Sequence, residues 1–189
     1  MVKQSINLLS FSLLNWQMEE LKRNARFSVV MTGRRGNKTG FAVKKTLIKG
    51  IECQDPSAAV VYIAPNIRMA RQSAWDAFQQ HGKSIIESID KSSLAITLVN
   101  GVTIYLAGAD TLNLPEDIKL HFAALDEIHY FPTHVWDKIV QPMLGESGSA
   151  LIIGTPEPGD NQFNRLFDYA ESGVDKDWTA ARISGNGGI

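Results

Sequence analysis

The residues best suited to chemistry lie in the segment 32-TGRRGNKTG-40, a turn rich in glycine and basic residues. A phosphate-binding loop has the pattern Gly, four residues, Gly, Lys and then Ser or Thr. When the segment is aligned on Lys38 and Thr39, threonine and asparagine occupy the two glycine positions. Its own glycines, Gly33 and Gly36, each lie one residue away from those positions. The strict pattern is therefore missed, although an apolar run precedes the turn and a helical pattern follows it, as such a loop requires.

The physical chemistry of this turn still favours anion binding. Backbone N–H groups in a tight turn and at a helix N-terminus attract phosphate. Lys38 would reach the β- and γ-phosphates of a nucleotide, and the Thr39 hydroxyl would bind Mg²⁺. Asn37 can replace glycine because asparagine tolerates a positive φ. The loop residues assigned to the nucleotide are Gly33, Arg35, Gly36, Asn37, Lys38 and Thr39. A basic surface turn before a helix is the alternative, and this segment alone leaves both open.

A second candidate is the acidic pair Asp126 and Glu127, which directly follows the apolar run 122-FAAL-125. Packing alone does not account for the pair, because burial of unpaired carboxylates is costly. An ATPase needs one acid to hold hydrated Mg²⁺ and a second acid to orient or deprotonate the attacking water. Asp126 suits the first role and Glu127 the second. An ordinary acidic loop after a strand is the alternative.

The elements that would position these residues alternate between strands and helices. Apolar and β-rich runs predict strands at 26–31, 58–65, 94–99, 102–108, 121–127 and 149–156. Helical periodicity predicts helices at 13–24, 38–51, 66–81, 133–144 and 160–172, the third with Asn66 as its N-cap. The dipeptide at 100–101, Asn-Gly, predicts a hairpin, and Pro142 is expected to end its helix. The tail at 178–189 starts like a strand and finishes in glycines.

This alternation predicts a parallel sheet that is covered by helices on both faces. The polar ends of the strands at 26–31, 121–127 and 149–156 would then lie along one edge of the sheet. In open α/β sheets, that edge is where ligands bind. The sequence therefore predicts that the loop and the acidic pair meet there.

Composition limits the class of protein. The chain has 189 residues, of which 44% are hydrophobic and 21% charged, as in an ordinary globular domain. With a net charge of -1, any nucleic-acid contact must come from a local basic patch. The single cysteine, Cys53, excludes an intrachain disulfide and fits a reducing compartment. No apolar run is long enough to span a membrane, and the four histidines form no zinc pattern.

The order of several segments resembles the ATPase domain of the large terminase subunit of tailed bacteriophages. The segments are 33-GRRGNKT-39, 61-VYIAPNIRMARQSAW-75, 122-FAALDEIHYFPTHVWDKIVQPML-144 and 150-ALIIGTPEPGDNQFNRLF-167. The helix ending in Gln-Pro-Met-Leu, followed by the Gly-Thr-Pro strand end and Asn-x-Phe-x-x-Leu-Phe, is the most particular part. The resemblance extends from about Trp16 to Trp178. It implies a RecA-like, three-layer α/β P-loop domain of the additional-strand catalytic glutamate type, with a mainly parallel sheet.

The resemblance also implies roles for single residues. Arg34 matches a loop arginine that stabilises or senses the γ-phosphate, and it joins Glu127 as a catalytic residue. Thr155, within the Gly-Thr-Pro segment, matches a motif that couples hydrolysis to DNA movement. Gln17 resembles the glutamine that reads adenine, with a solvated helix glutamine as the alternative. Lys38, Thr39, Asp126 and Glu127 keep the roles given above.

At the level of function, the resemblance implies Mg²⁺-dependent ATP hydrolysis that drives double-stranded viral DNA into a prohead. Its partners would be DNA phosphates without sequence preference, a portal protein and a small terminase subunit. The subunits would form a homo-oligomeric ring in the cytoplasm of an infected bacterial host, without a membrane, and the isolated domain would be monomeric. Residues 1–178 would form the ATPase domain and 179–189 the start of a linker or a frayed tail. A nuclease domain like that of large terminases is not expected within these residues, and neither is nuclease activity.

The sequence departs from the family pattern at two places. Asn37 replaces the usual glycine, which puts the rate of hydrolysis in doubt more than nucleotide binding. The stretch at 112–121 lacks the arginine that the family supplies to a neighbouring subunit, and Lys119 lacks the planar fork of arginine. Two alternatives remain open, namely a helicase-like motor fragment and a non-hydrolysing nucleotide- or DNA-binding module. A helicase would need a second motor domain, and sustained ATP turnover would exclude the non-hydrolysing module.

Overall fold

The computed structural model describes residues 11–23, 25–115 and 118–183, which fold around one eight-stranded sheet. The strands are β1 (Phe27–Thr32), β2 (Ala59–Ala64), β3 (Ile86–Asp90), β4 (Ala95–Leu98), β5 (Thr103–Gly108), β6 (Leu120–Asp126), β7 (Ser149–Gly154) and β8 (Trp178–Ile183). Their order across the sheet is β3-β4-β5-β2-β6-β7-β1-β8. All neighbours from β5 to β8 run parallel, whereas β3 and β4 pair antiparallel. The predicted mainly parallel sheet is confirmed.

Helices cover both faces of this sheet. They are α1 (Asn15–Lys22), α2 (Lys38–Glu52), α3 (Ile67–Ala70, a π-helical turn Arg71–Trp75 and Asp76–Gly82), α4 (a π-helical segment Val135–Val140 followed by Gln141–Leu144) and α5 (Gln162–Ser172). The predicted N-cap is confirmed, since the Asn66 side chain accepts a hydrogen bond from the Met69 N–H. None of the helices in the described part of the chain is long and apolar enough to cross a membrane.

The core forms two apolar layers, one on each side of the sheet. Successive strand residues point to opposite faces, so Val30 of β1 packs in the layer under α1, α2 and α3. Its neighbour Val29 packs in the layer under α4 and α5. Every residue of β1 and β2 is buried, as expected for central parallel strands that are covered on both sides. The domain therefore has the predicted three-layer α/β architecture.

Pro142 does not end the preceding helix, contrary to the sequence prediction. It lies within Gln141–Leu144, which continues directly from Val135–Val140. Proline has no N–H, so in a regular α-helix it would leave one carbonyl without its partner. Here the preceding turn is widened, and the Gln141 N–H donates to the carbonyl of Trp136 five residues back. This π-type register lets the helix pass the proline and continue for a further half turn.

The hairpin predicted at 100–101 is confirmed, because β4 and β5 pair antiparallel and Gly101 has a φ of 87°. The adjoining strand β3 was missed by the sequence analysis. Four of its five residues are exposed, so no apolar run marks it. It pairs antiparallel with β4 and forms one edge of the sheet.

The boundary predicted at residue 178 falls too early. Residues 179–183 continue β8, which pairs in parallel with β1 from Phe27↔Trp178 to Thr32↔Ile183. The chain therefore reaches its last described strand where a linker or frayed tail was expected. The rest of the predicted tail, 184–189, lies outside the described residues.

Candidate active site

The candidate site lies at the carboxyl ends of β1, β6 and β7, which are consecutive in the sheet. Asp126 at the end of β6 pairs in register with Ile153 of β7, and Met31 of β1 pairs with Gly154. Parallel strands bring their carboxyl ends to one edge. The prediction that the loop and the acidic pair meet at that edge is confirmed.

The loop between β1 and α2 is tight and contains two residues in the left-handed region. Arg35 has a φ of 69° and Asn37 a φ of 56°, so the expectation that asparagine takes a positive φ here is confirmed. The Gly36 N–H donates to the Gly33 carbonyl at 3.2 Å, which closes the turn. Gly36 is required by space, because a Cβ atom there would clash with Thr32 Oγ1.

The first two residues of α2 join the loop to the acidic pair. The Lys38 side chain is 8% exposed, and its Nζ lies 3.5 Å from Glu127 Oε1. The same Nζ donates to the Gly33 carbonyl at 3.4 Å. The Thr39 hydroxyl donates to Asp126 Oδ2 at 2.6 Å, across 87 residues of sequence. The two motifs that the sequence separates therefore form one cluster.

Asp126 is almost completely buried, with 3% of its surface exposed. Its Oδ2 accepts a second hydrogen bond, at 2.7 Å, from the hydroxyl of Tyr62 on β2. Burial raises the pKa of Asp126 above its ordinary value, against the opposing effect of the Thr39 and Tyr62 donors. Its Oδ1 is buried and has no hydrogen-bond partner among the described residues. A buried oxygen in this position fits the water shell of a divalent cation.

Glu127 faces the same cluster because the chain turns sharply after β6. Its φ is 57°, and its N–H donates to the Ile153 carbonyl at 2.8 Å. Adjacent strand residues point to opposite faces, and this left-handed turn brings Glu127 back towards Lys38. The Thr155 N–H donates to Glu127 Oε2 at 3.1 Å, and the Thr155 hydroxyl donates to Oε1 at 3.3 Å. The Gly-Thr-Pro segment after β7 therefore holds the glutamate, a contact that the sequence did not predict.

Lys38, Glu127 and Thr155 border an open cleft of about 290 Å³. Its lining consists of Arg34, Arg35, Lys38, Met69, Glu127, His129, Tyr130, Thr155 and Glu157. The side chains of Arg34 and Arg35 are exposed at the rim. His129 Nδ1 lies 3.6 Å from Glu127 Oε2, another neighbour that sequence reasoning missed.

The described residues contain no group of three or more His, Cys, Asp or Glu side chains that could hold a metal. A Mg²⁺ that enters with a nucleotide needs only one or two protein carboxylates.

Gln17 connects α1 to the loop. The side chain is buried, so the alternative of a solvated helix glutamine is wrong. Its Oε1 accepts from the Leu14 N–H at 3.1 Å, and its Nε2 donates to the Asn37 carbonyl at 3.4 Å. The recognition of adenine by Gln17 stays a prediction.

A buried ion pair fixes the same helix further along. Lys45 Nζ of α2 lies 3.3 Å from Glu20 Oε1 of α1 and 3.4 Å from Ser28 Oγ of β1. Burial lowers the pKa of Lys45, while the charge of Glu20 opposes that shift. Two separate contacts, at Gln17 and at Glu20, therefore hold α1 against the element that carries the loop.

Similarity to known proteins is found among the solved structures. No protein-family model and no curated protein matches the chain. The large terminase ATPase domain of Thermus phage P74-26 superposes with a TM-score of 0.76 at 20% identity, over 94% of this chain and 83% of that domain. The large terminase of another bacteriophage, a thermophilic one, superposes with a TM-score of 0.72 at 13% identity, over 91% of this chain and 46% of that chain. The bacteriophage HK97 large terminase superposes with a TM-score of 0.72 at 16% identity, over 93% of this chain and 39% of that chain.

These likenesses define the fold. The chain has the RecA-like α/β architecture seen in the ATPase domains of phage large terminases. Saccharomyces cerevisiae dbp5 is a more distant neighbour, with a TM-score of 0.57 at 16% identity. The chain spans less than half the length of the thermophilic-bacteriophage and HK97 terminases. The former terminase has been solved in complex with ATP-gamma-S and with ADP.

Proposed function

We propose that this domain is a Mg²⁺-dependent ATPase and that it powers the packaging of double-stranded DNA into a viral prohead. One observation carries the proposal. Lys38 Nζ lies 3.5 Å from Glu127, while the Thr39 hydroxyl lies 2.6 Å from Asp126. A cation for phosphate and two carboxylates thus meet beside a tight loop, although the loop and the acids are far apart in sequence. The likeness to phage terminase ATPase domains supports the packaging role.

In the proposed reaction, each side chain acts on a different part of the nucleotide. Lys38 and the loop N–H groups would neutralise the β- and γ-phosphates. Glu127 would orient the attacking water or take its proton, and Thr155 would hold that carboxylate in place. Arg34, exposed at the rim, would stabilise charge on the γ-phosphate. Gln17 would read the adenine.

The metal would be held by two residues of the cluster. The Thr39 hydroxyl and Asp126 fit Mg²⁺, because Asp126 keeps one buried oxygen that lacks a partner among the described residues. Bound Mg²⁺ would neutralise charge on the phosphate oxygens. The solved complexes of the thermophilic-bacteriophage terminase with ATP-gamma-S and ADP support nucleotide binding in this fold.

The assembly is the furthest part of the proposal, and the family resemblance supports it. Subunits would form a ring that contacts a portal protein and a small terminase subunit in the cytoplasm of an infected bacterium. Contacts to DNA would go to phosphates, without sequence preference and with strong salt dependence. An isolated domain would bind nucleotide but turn it over slowly, because ring subunits complete one another's sites.

Calorimetry with a non-hydrolysable ATP analogue and Mg²⁺ tests the binding step. The parent chain should bind, and Lys38→Ala should weaken binding by about 100-fold because the phosphate loses its buried cation. Lys83→Ala, at an exposed position outside the cleft, is the matched control and should bind like the parent. If the parent does not bind, or if Lys38→Ala binds equally well, the proposed site is wrong.

Turnover is tested separately, at high protein concentration and with DNA. Glu127→Gln should retain analogue binding and lose about 100-fold or more in turnover, since it removes the general base. Binding by the parent without any turnover would favour the non-hydrolysing module instead. Turnover that is unaffected by Glu127→Gln would refute the role of that residue.

A further inference from the structure

The Tyr62 hydroxyl donates a hydrogen bond to Asp126 Oδ2 at 2.7 Å, although Tyr62 lies in neither of the two motifs that indicated the site. We infer that Tyr62 is a positioning residue for metal binding, which sets the orientation of the Asp126 carboxylate. The inference rests on the proposed nucleotide function and deepens it. It assigns a purpose to a residue of β2, a strand that otherwise contributes only apolar core to the site.

The orientation of Asp126 depends on two donors that come from different elements. Thr39 donates from α2 and Tyr62 from β2, both to Oδ2. The terminal torsion of an aspartate is broad, so a single donor leaves the carboxylate free to pivot. Two donors on one oxygen hold its plane and leave Oδ1 as the oxygen available to the metal's water shell. Of these two, the Tyr62 donor comes from outside the loop and α2, the elements that a nucleotide would contact directly.

Tyr62 is itself held rigidly. Its side chain is fully buried and packs edge-to-face on Phe78, with the ring centroids 5.8 Å apart. Ser73 Oγ lies 3.4 Å from the phenol oxygen, but the Ser73 hydroxyl donates its one proton to the Met69 carbonyl at 2.7 Å. The phenol proton is directed to Asp126 instead, because Asp126 Oδ2 is nearer at 2.7 Å and a carboxylate is a stronger acceptor than a hydroxyl. A donor on a central strand is a more rigid support than one on a loop.

The register of the sheet explains why a tyrosine reaches Asp126 from this position. Tyr62 pairs with Ala124 of β6, and Asp126 lies two residues further along on the same face. The small side chain of Ala124 leaves the diagonal path open. Phenylalanine would fill the same apolar space without a hydroxyl that must be paired when buried. The hydroxyl thus has one strong acceptor here, the carboxylate that is proposed to hold the metal.

The test is calorimetry of a non-hydrolysable ATP analogue, with Mg²⁺ and with EDTA, on the whole chain. Tyr62→Phe should weaken binding about tenfold in Mg²⁺, the loss expected for one hydrogen bond to a charged group. In EDTA it should stay within about twofold of the parent, because the loop and Lys38 are unchanged. Tyr105→Phe, which removes a phenol from β5 on the opposite core layer, is the matched control and should match the parent in both conditions.

A double-mutant cycle separates positioning from packing. In an Asp126→Asn background, Tyr62→Phe should have no further effect on the Mg²⁺-dependent gain in affinity. Equal weakening in Mg²⁺ and EDTA would show a purely structural role and overturn the inference, as would unchanged binding in Mg²⁺. Absence of binding by the parent would overturn the proposed function itself, and the inference with it. Thermal unfolding of each variant confirms that the comparison is between folded proteins.

Discussion

Asn37 shows how a single residue can depart from a pattern and still meet its physical requirement. Its φ of 56° lies in a region that costs most residues about 1–2 kcal/mol, whereas asparagine and glycine enter it more readily. We expect Asn37→Ala to lower the free energy of unfolding by about 1 kcal/mol. Asn37→Gly should keep stability and analogue binding near the parent values. Urea denaturation and calorimetry measure both, and an alanine variant as stable as the parent would contradict this account of the loop.

We expect the buried carboxylate of Asp126 to serve the proposed function while it lowers the stability of the folded chain. Because burial raises its pKa in the folded state, that state binds more protons than the unfolded chain between the ordinary value of 3.8 and the raised value. Stability of the parent therefore falls as pH rises through that window. Above the window, Asp126→Asn should raise the unfolding temperature, and below pH 3.8 the difference should vanish.

Metal provides the control for this prediction. With a nucleotide analogue present, Mg²⁺ should stabilise the parent and leave Asp126→Asn almost unchanged, as measured by thermal unfolding at neutral pH. A variant that is less stable than the parent at neutral pH would mean that the Thr39 and Tyr62 hydrogen bonds outweigh the cost of the buried charge.

The sequence indicated the candidate-site residues that lie in continuous motifs, and it missed the contacts that are made across the sheet. Lys38, Thr39, Asp126 and Glu127 were predicted because each motif is local and chemically unusual. Tyr62 was missed because its partner lies 64 residues away and an aromatic residue in an apolar strand reads as core. The contact of Thr155 with Glu127 was missed as well, because these two residues are also far apart in sequence.

Among the elements, α1 is held against α2 by a buried charge pair, Lys45 and Glu20. Lys45 and Glu20 are 7% and 2% exposed, and the loss of Glu20 leaves the Lys45 charge buried without its carboxylate. We expect Glu20→Ala to lower the free energy of unfolding by about 3 kcal/mol. The double change Glu20→Leu with Lys45→Met should cost much less, because it removes both charges. Chemical denaturation compares the variants.

The chain offers an exposed pair on the same helix as a control. Glu19 and Lys22 lie 2.7 Å apart with side chains 67% and 65% exposed, and Glu19→Ala should change stability by less than about 0.5 kcal/mol. If Glu20→Ala were equally mild, the buried pair would not hold α1. Glu20→Ala should also weaken binding of the ATP analogue, since a loosened α1 loses the contact between Gln17 and the loop.

Element prediction succeeded where a strand or helix is buried and failed where it is not. The central strands β1, β2, β6 and β7 are continuous apolar runs, and all were predicted. Strand β3 was missed because it is exposed, and its pairing depends on the neighbouring hairpin rather than on its own sequence. The π-helical turns in α3 and α4 follow from hydrogen-bond register within a packed helix, which local propensity does not encode.

The whole molecule is organised so that the strand leading into the loop lies inside the sheet. β1 is flanked by β7 on one side and by β8 on the other, so β8 completes the hydrogen bonding of the strand that positions the loop before α2. Alternation of strands and helices predicted the fold class, but it could not give this order, which is set by long-range pairing. β8, the last strand of the described chain, thus supports the candidate site through β1, although β8 itself lies outside that site.

Truncation tests this dependence. A chain that ends at Asp177 lacks all of β8, including Trp178, which is 8% exposed and packs on Phe27 with ring centroids 4.9 Å apart. Compared with a chain that ends at Ile183, it should lose about 3 kcal/mol or more of unfolding free energy, since removal of a buried tryptophan alone costs about that much. Analogue binding should weaken as well, because β1 loses its outer neighbour. Equal stability of the two chains in urea would show that β8 is an accessory strand and that β7 alone is enough to hold the loop.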